Sequence, residues 1–361
     1  MTTLDVPVSS SVAGDRRAMF KRLVPWVVII AALFVLPQLL DDFWVSRVTG
    51  WIPLAVAALG LNLLTGYNGQ ISAGHGALFG LGAYAAALTI NARGGNFLLG
   101  VVVAAVVCFA AGIVIGLPAL RIKGLYLALV TLSVATLFPD LLKQFESITG
   151  GSQGLRITSP QEYRGELQEF LVEWKAPSWS GLTDTQWKFY VLVVVAIVCF
   201  LLVRNLVNSR MGRAIVAVRD NEVAAEVNGV AVARVKVVTF GLSSALAGVG
   251  GALFALKELQ LSPNSFVLTI SLYFLVAVVI GGPATVLGPA IGAVIYGFFN
   301  DVINQEVLPE RFKPATPLIL GVALILLMLV APGGIMGLVR QFGAWLSRRR
   351  TPTPITRKAS S

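Results

Sequence analysis

Charge is scarce in this sequence: only 13% of its 361 residues are Asp, Glu, Lys or Arg, against about 25% in an ordinary soluble domain. With 56% hydrophobic residues, that scarcity excludes a water-soluble globular protein, because a soluble surface needs polar groups to meet water. Histidine is reduced to His75 and cysteine to Cys108 and Cys199. Both cysteines fall inside apolar runs, where a free thiol behaves as a small hydrophobe. The histidine is far from both in sequence, so neither a disulfide nor a metal site is expected. No Gly, four residues, then Gly-Lys-Ser/Thr pattern occurs, which excludes ATP binding of that kind. Carboxylates are missing from the apolar interior: Asp140, Glu146, Glu258 and Asp301 all fall at predicted span ends. A carrier would need coupling residues at depth, and an intramembrane enzyme would need a nucleophile with its base, or a metal set. Nucleic acid is excluded as a partner, because the basic residues form no stripe with interleaved aromatics.

What is abundant is apolar length. Runs near 24–40, 48–65, 71–90, 97–117 and 124–142 precede a polar gap. Further runs near 188–203, 237–256, 267–282, 286–303 and 314–331 follow it. A bilayer core takes about 20 helical residues per crossing, so the expectation is an all-α polytopic integral membrane protein of about ten transmembrane helices. The positive-inside rule then orients the chain. With both termini cytoplasmic, about 18 of the 28 basic residues face the cytoplasm, including Arg121 and Lys123. This divides the chain into an N-terminal tail at 1–23, a permease-like body at 24–339 and a basic tail at 340–361, solvated and disordered after Ser347. The first apolar run is expected to stay as an uncleaved span, since no small-residue cleavage pattern follows it.

Two segments within the body carry polar chemistry. Between Gly66 and Gly82, six glycines accompany Asn68, Gln70, Ser72 and His75, so this stretch is expected to be partly unwound or re-entrant, enclosed by protein. Asn62, Thr65, Gln70, Ser72 and His75 are expected at a translocation route as neutral hydrogen-bonding groups; the alternative is that they only tie helices together. The pairs Gly76/Gly80, Gly112/Gly116 and Gly288/Gly292 are one turn apart and read as close helix packing. The second segment is the loop at about 204–236. Asp220 and Asn221 are good N-caps for a helix over 222–227, with Asp220 expected to cap it, and Gly229 suits a left-handed C-cap. Arg213 and Arg219 could draw that helix onto anionic headgroups. Small Ala224 and Ala225 beside Glu222 favour docking into a partner's groove instead. In the outer loop at about 143–187, Thr149, Gly150 and Gly151 suggest a tight turn at an outer mouth; the alternative is a plain solvated connector.

The loop sequence GRAIVAVRDNEVAAEVNGV (212–230) is similar to the coupling segment of bacterial ABC importer permeases. The stretches ALGLNLLTGYNGQISAGHGALFGLGAYAAAL (58–88), GLPALRIKGLYLALVTLSVA (116–135), SITGGSQGL (147–155), IGGPATVLGPAIGA (280–293) and APGGIMGLV (331–339) resemble the LivM-type permeases of branched-chain amino acid importers. The resemblance implies a membrane-embedded subunit of the bacterial inner membrane, with no catalysis of its own. It implies a LivH-like second permease, two cytoplasmic ABC ATPase subunits and an extracytoplasmic solute-binding protein. Permeases for urea and other amides look closely similar, so the solute is left to the binding protein.

Overall fold

The computed structural model describes residues 33–92, 96–119, 125–163, 166–171, 175–302, 311 and 316–350. Most of the 24–40 run, the basic N-terminal cluster, Arg121, Lys123 and the end of the tail lie outside the described residues. The architecture is almost entirely helical. Helices α1 (Asp42–Asn62), α2 (His75–Ala92), α3 (Phe97–Ala119) and α4 (Leu125–Gln144) make up the first half. The second half has α5 (Asp184–Asn208), α6 (Arg210–Asp220), α7 (Glu222–Val227), α8 (Val232–Glu258), α9 (Leu268–Gly281), α10 (Gly288–Phe298), α11 (Thr316–Val330) and α12 (Gly334–Arg350). Among the described residues, six helical segments are long and apolar enough to cross a membrane, which makes the chain a multi-pass membrane protein.

The two most enclosed long helices are α1 and α8. Helix α8 runs through the centre, packed on α1, α2 and α3, and its Gly250 faces Pro53 and Ala57 while its Ser243 hydroxyl donates to the Gly60 carbonyl at 2.6 Å. Those contacts make α1 and α8 antiparallel. Gly82 of α2 meets Gly248, and Gly251 meets the Phe79 carbonyl; close approach of this kind is how helices associate where lipid is as apolar as the side chains. The three glycine pairs read from the sequence also sit in packing contacts: Gly76 against Ser271, Gly112 against Ser244 and Gly292 against Ala277, for example. Cys108 and Cys199 are buried free thiols.

Outside the bundle the structure adds what the apolar runs did not contain. The polar gap holds a hairpin of β2 (Thr158–Tyr163) with β3 (Glu166–Leu171), and β1 (Leu155–Arg156) pairs with β4 (Gln260–Leu261). Thr149 donates to the Leu142 carbonyl at 2.5 Å, and Gly150 and Gly151 adopt φ of 75° and 56°, a turn closed to most other residues. Helix α5 begins in a capping box, Thr183 accepting from the Gln186 N–H while Gln186 returns to the Thr183 N–H, the reciprocal arrangement that satisfies two orphan donors. The tail also differs from expectation: α12 stays helical to Arg350, past Ser347.

Candidate functional site

Helix α1 does not end cleanly. It widens into a π-turn over Leu63–Tyr67, the chain then runs without regular structure to Gly74, and α2 starts at His75. The residues of the break are polar yet enclosed. Asn68, Gln70, Ser72 and His75 are buried, and their side-chain nitrogens and oxygens have no hydrogen-bond partner among the described residues. Buried polar groups are normally paired, at a cost of about 1–3 kcal/mol each when they are not, so seven such atoms within eight residues set this stretch apart from the rest of the described interior.

Neighbouring elements hold the break in position through other atoms. The Ala73 N–H donates to Thr131 of α4 at 3.0 Å, the Gly76 N–H to Ser271 of α9 at 2.8 Å, and the His75 ring stands edge-on to Phe274 with centroids 6.4 Å apart. Asn62 and Thr65 behave differently. The Asn62 amide donates to the Thr285 carbonyl at 2.7 Å and accepts from the Ala284 N–H at 2.9 Å, while Thr65 donates to the Leu61 carbonyl at 2.8 Å. The Asn62 side chain ties the end of α1 to the α9–α10 connection, and the Thr65 hydroxyl is spent on its own helix. Asn68, overlooked among the sequence candidates, belongs with the unpaired set; its signal was its place between Gly66 and Gly69.

The surface segment α6–α7 touches the same break. Leu63 and Tyr67 pack with Ile215, Val218, Ala225 and Val235 in one apolar cluster. Arg219 donates to the Gly66 carbonyl at 3.1 Å, across 153 positions of sequence, and pairs with Asp220 at 2.9 Å. Arg213 remains exposed. Two expectations are corrected here. The cap of α7 is Asn221, whose side chain accepts from the Ala224 N–H at 3.0 Å; Asp220 is the last residue of α6, its carboxylate occupied by Arg219. Ala225 points inward and is buried, so it is closed to any partner. Exposed instead are Ala224, Val223 at 72% and Val227 at 83%, with the two valines on one face at i and i+4. Glu222 pairs at 2.5 Å with the largely buried Lys236 of α8. Gly229 closes the helix at φ 81°.

The architecture is that of a multi-pass helical membrane protein whose interior is interrupted by a buried polar segment. The chain belongs to the branched-chain amino acid transport system permease component family, whose model matches residues 45–331. It is 30% identical over 294 residues to the high-affinity branched-chain amino acid transport system permease protein LivM of Salmonella typhimurium, covering 79% of this chain and 68% of that one. LivM of Escherichia coli is 29% identical over the same length. LivH of Escherichia coli is 28% identical over 292 residues, covering 78% of this chain and 91% of LivH. No solved structure matches.

Proposed function

We propose that this chain is the LivM-type permease half of an ABC importer that carries branched-chain amino acids across a bacterial inner membrane. The observation that carries this reading is the buried, unpaired run Asn68–Gln70–Ser72–His75, held by α4 and α9 and joined through Arg219 to α6–α7. Neutral amide, hydroxyl and imidazole groups bind a polar solute without the deep trap a buried charge would make. The exposed Ala224 and valines of α7 receive one of two cytoplasmic ATPase subunits, which supply the ATP site this chain does not provide. A LivH-like permease completes the membrane pair, in keeping with the likeness of this one chain to both LivM and LivH. A solute-binding protein delivers its cargo at the end that carries the β2–β3 hairpin and the Thr149–Gly151 turn.

The test is ATP-dependent uptake of labelled leucine by the co-expressed complex in inverted and right-side-out vesicles. Gln70→Ala and His75→Ala are expected to lower uptake by about tenfold, equivalent to ~1.4 kcal/mol, at unchanged protein level. Asn62→Ala is expected to act on stability instead, because it strands the Ala284 N–H and Thr285 carbonyl that it now pairs. Uptake unaltered by Gln70→Ala and His75→Ala together would refute the assignment of the break.

This reading carries ten spans with both termini and residues 204–236 in the cytoplasm. A reporter active only outside the membrane is expected to score at residue 165 and to stay silent at residue 220 and after residue 350. The opposite pattern would overturn the topology, and with it the ATPase docking assignment.

A further inference from the structure

The end of the break is also the start of a helix, and that start lies deep in the bundle. Cys108, near the middle of α3, donates through its thiol to the Leu78 carbonyl at 3.3 Å. His75, three residues earlier in α2, therefore lies roughly 5 Å from the midpoint of that span. A second helix begins beside it. Gly76 faces Ile270 and Ser271 of α9 while Gly80 faces Phe266, which makes α2 and α9 antiparallel with their first turns side by side. Each helix carries partial positive charge at its N-terminus, so two such ends share one enclosed level.

No side chain of the surrounding spans offsets that field. Neither first turn holds an acidic residue, and the sequence has no charged residue between Arg47 and Arg93, between Lys123 and Asp140, or between Glu258 and Asp301. The donors at the start of α2 are only partly used. The Ala73 and Gly76 N–H groups go to Thr131 and Ser271, whereas those of Gly74 and His75 have no acceptor among the described residues. With them belong two side chains more than nine-tenths buried. His75 is the first residue of the helix, Ser72 lies one turn's length ahead of it, and the polar atoms of both are unpartnered.

We propose that this helix start is an anion subsite, which takes the carboxylate of the transported solute on the Gly74 and His75 N–H groups, the Ser72 hydroxyl and the His75 ring. The proposal rests on the permease reading above and deepens it, by stating which end of the solute the break recognises. A carboxylate accepts through both oxygens, and its bonds to neutral donors are roughly twice as strong as those of a neutral acceptor. Without Lys or Arg at this level, a singly charged group fits where a phosphate, which draws on those cations, does not. Amines and amides bring no anion to the same donors, so the site selects free carboxylic acids and discriminates against urea-like solutes. These atoms are sealed in this conformation, and the subsite fills in a state of the transport cycle that opens the break.

The chain's only histidine supplies the reporter. The assembled complex is grown on isotope-labelled histidine and reconstituted in nanodiscs, and the magnetic resonance signals of His75 are those absent from an H75Q or H75N complex. Leucine, isocaproate (leucine without its amine), isopentylamine (leucine without its carboxylate) and leucinamide are titrated in the nucleotide-free and vanadate-trapped states. Leucine and isocaproate are expected to shift the His75 backbone and ring signals in at least one state, and the two ligands without a carboxylate to leave them in place. Ser72→Ala is expected to raise the isocaproate midpoint about tenfold, the effect of losing one bond to a charged group. Equal shifts with isopentylamine, or none with either carboxylate in any state, would overturn the proposal. Uptake of labelled leucine by the same complex with its binding protein separates the two claims. Full uptake without a carboxylate-dependent shift refutes the subsite and leaves the permease, whereas carboxylate-dependent shifts in a complex that takes up no leucine refute the permease reading alone.

Discussion

Uptake is expected to fall by about thirtyfold when Val223 or Val227 is replaced by aspartate, matching the ~2 kcal/mol that a central docking contact contributes. Both side chains stand on one face of α7, largely uncovered by their own chain. A carboxylate there must be desolvated to enter an apolar groove, while exposure means the chain's own fold is indifferent to it. Membrane content and thermal stability should stay as in the unmodified protein, and the ATPase subunit should no longer co-purify. Ala225→Arg and Glu222→Lys would also depress uptake, by a different path. The first forces a guanidinium into the cluster of Leu63, Tyr67 and Ile215, and the second sets two ammonium groups together at Lys236. Both loosen α7 itself, so protease cleavage between 219 and 236 should accelerate in those variants and not in the valine ones. Full co-purification of the ATPase with both aspartate variants would remove α7 from the docking site.

Apolar periodicity was enough to find the bundle, because lipid demands long runs whatever the sequence does elsewhere. The α1–α2 break was legible for the same reason inverted: glycines and amides crowd a region that must cross. Which polar groups stay unpaired there was not legible. Asn62 and Gln70 are both amides eight residues apart, and only the approach of Ala284 and Thr285, some 222 positions on, separates the packing group from the free one. The cap of α7 failed locally. Asp220 and Asn221 are equal candidates by type, and the choice was made by Arg219, which takes the Asp220 carboxylate while reaching for Gly66. The inward turn of Ala225 depends on a six-residue helix meeting Leu63 and Tyr67, a contact with no periodic signature.

The second large effect is expected at Gly251, where α8 crosses α2. A methyl group added there would run into the Phe79 carbonyl and stand 2.8 Å from the Ala83 nitrogen. Both are backbone atoms of a helix and cannot swing aside as a side-chain end can. Ordinary overpacking costs about 1–3 kcal/mol, and a backbone obstacle on this side puts Gly251→Ala at the upper end of that range, with Gly251→Val beyond it. Because α8 also packs on α1 and α3, the two helices cannot separate locally without opening the centre of the bundle. The purified variant is therefore expected to lose its monodisperse form in detergent at a lower temperature than the parent, and Gly251→Val to accumulate poorly in the membrane. Gly321→Ala supplies the contrast. Among the described residues nothing lies within 4 Å of a Cβ at that position in α11, and alanine exceeds glycine in a helix interior by about 0.8–1 kcal/mol, so its midpoint should hold or rise. Equal midpoints for Gly251→Ala and Gly321→Ala would show that α2 and α8 do not meet as closely as the structure places them.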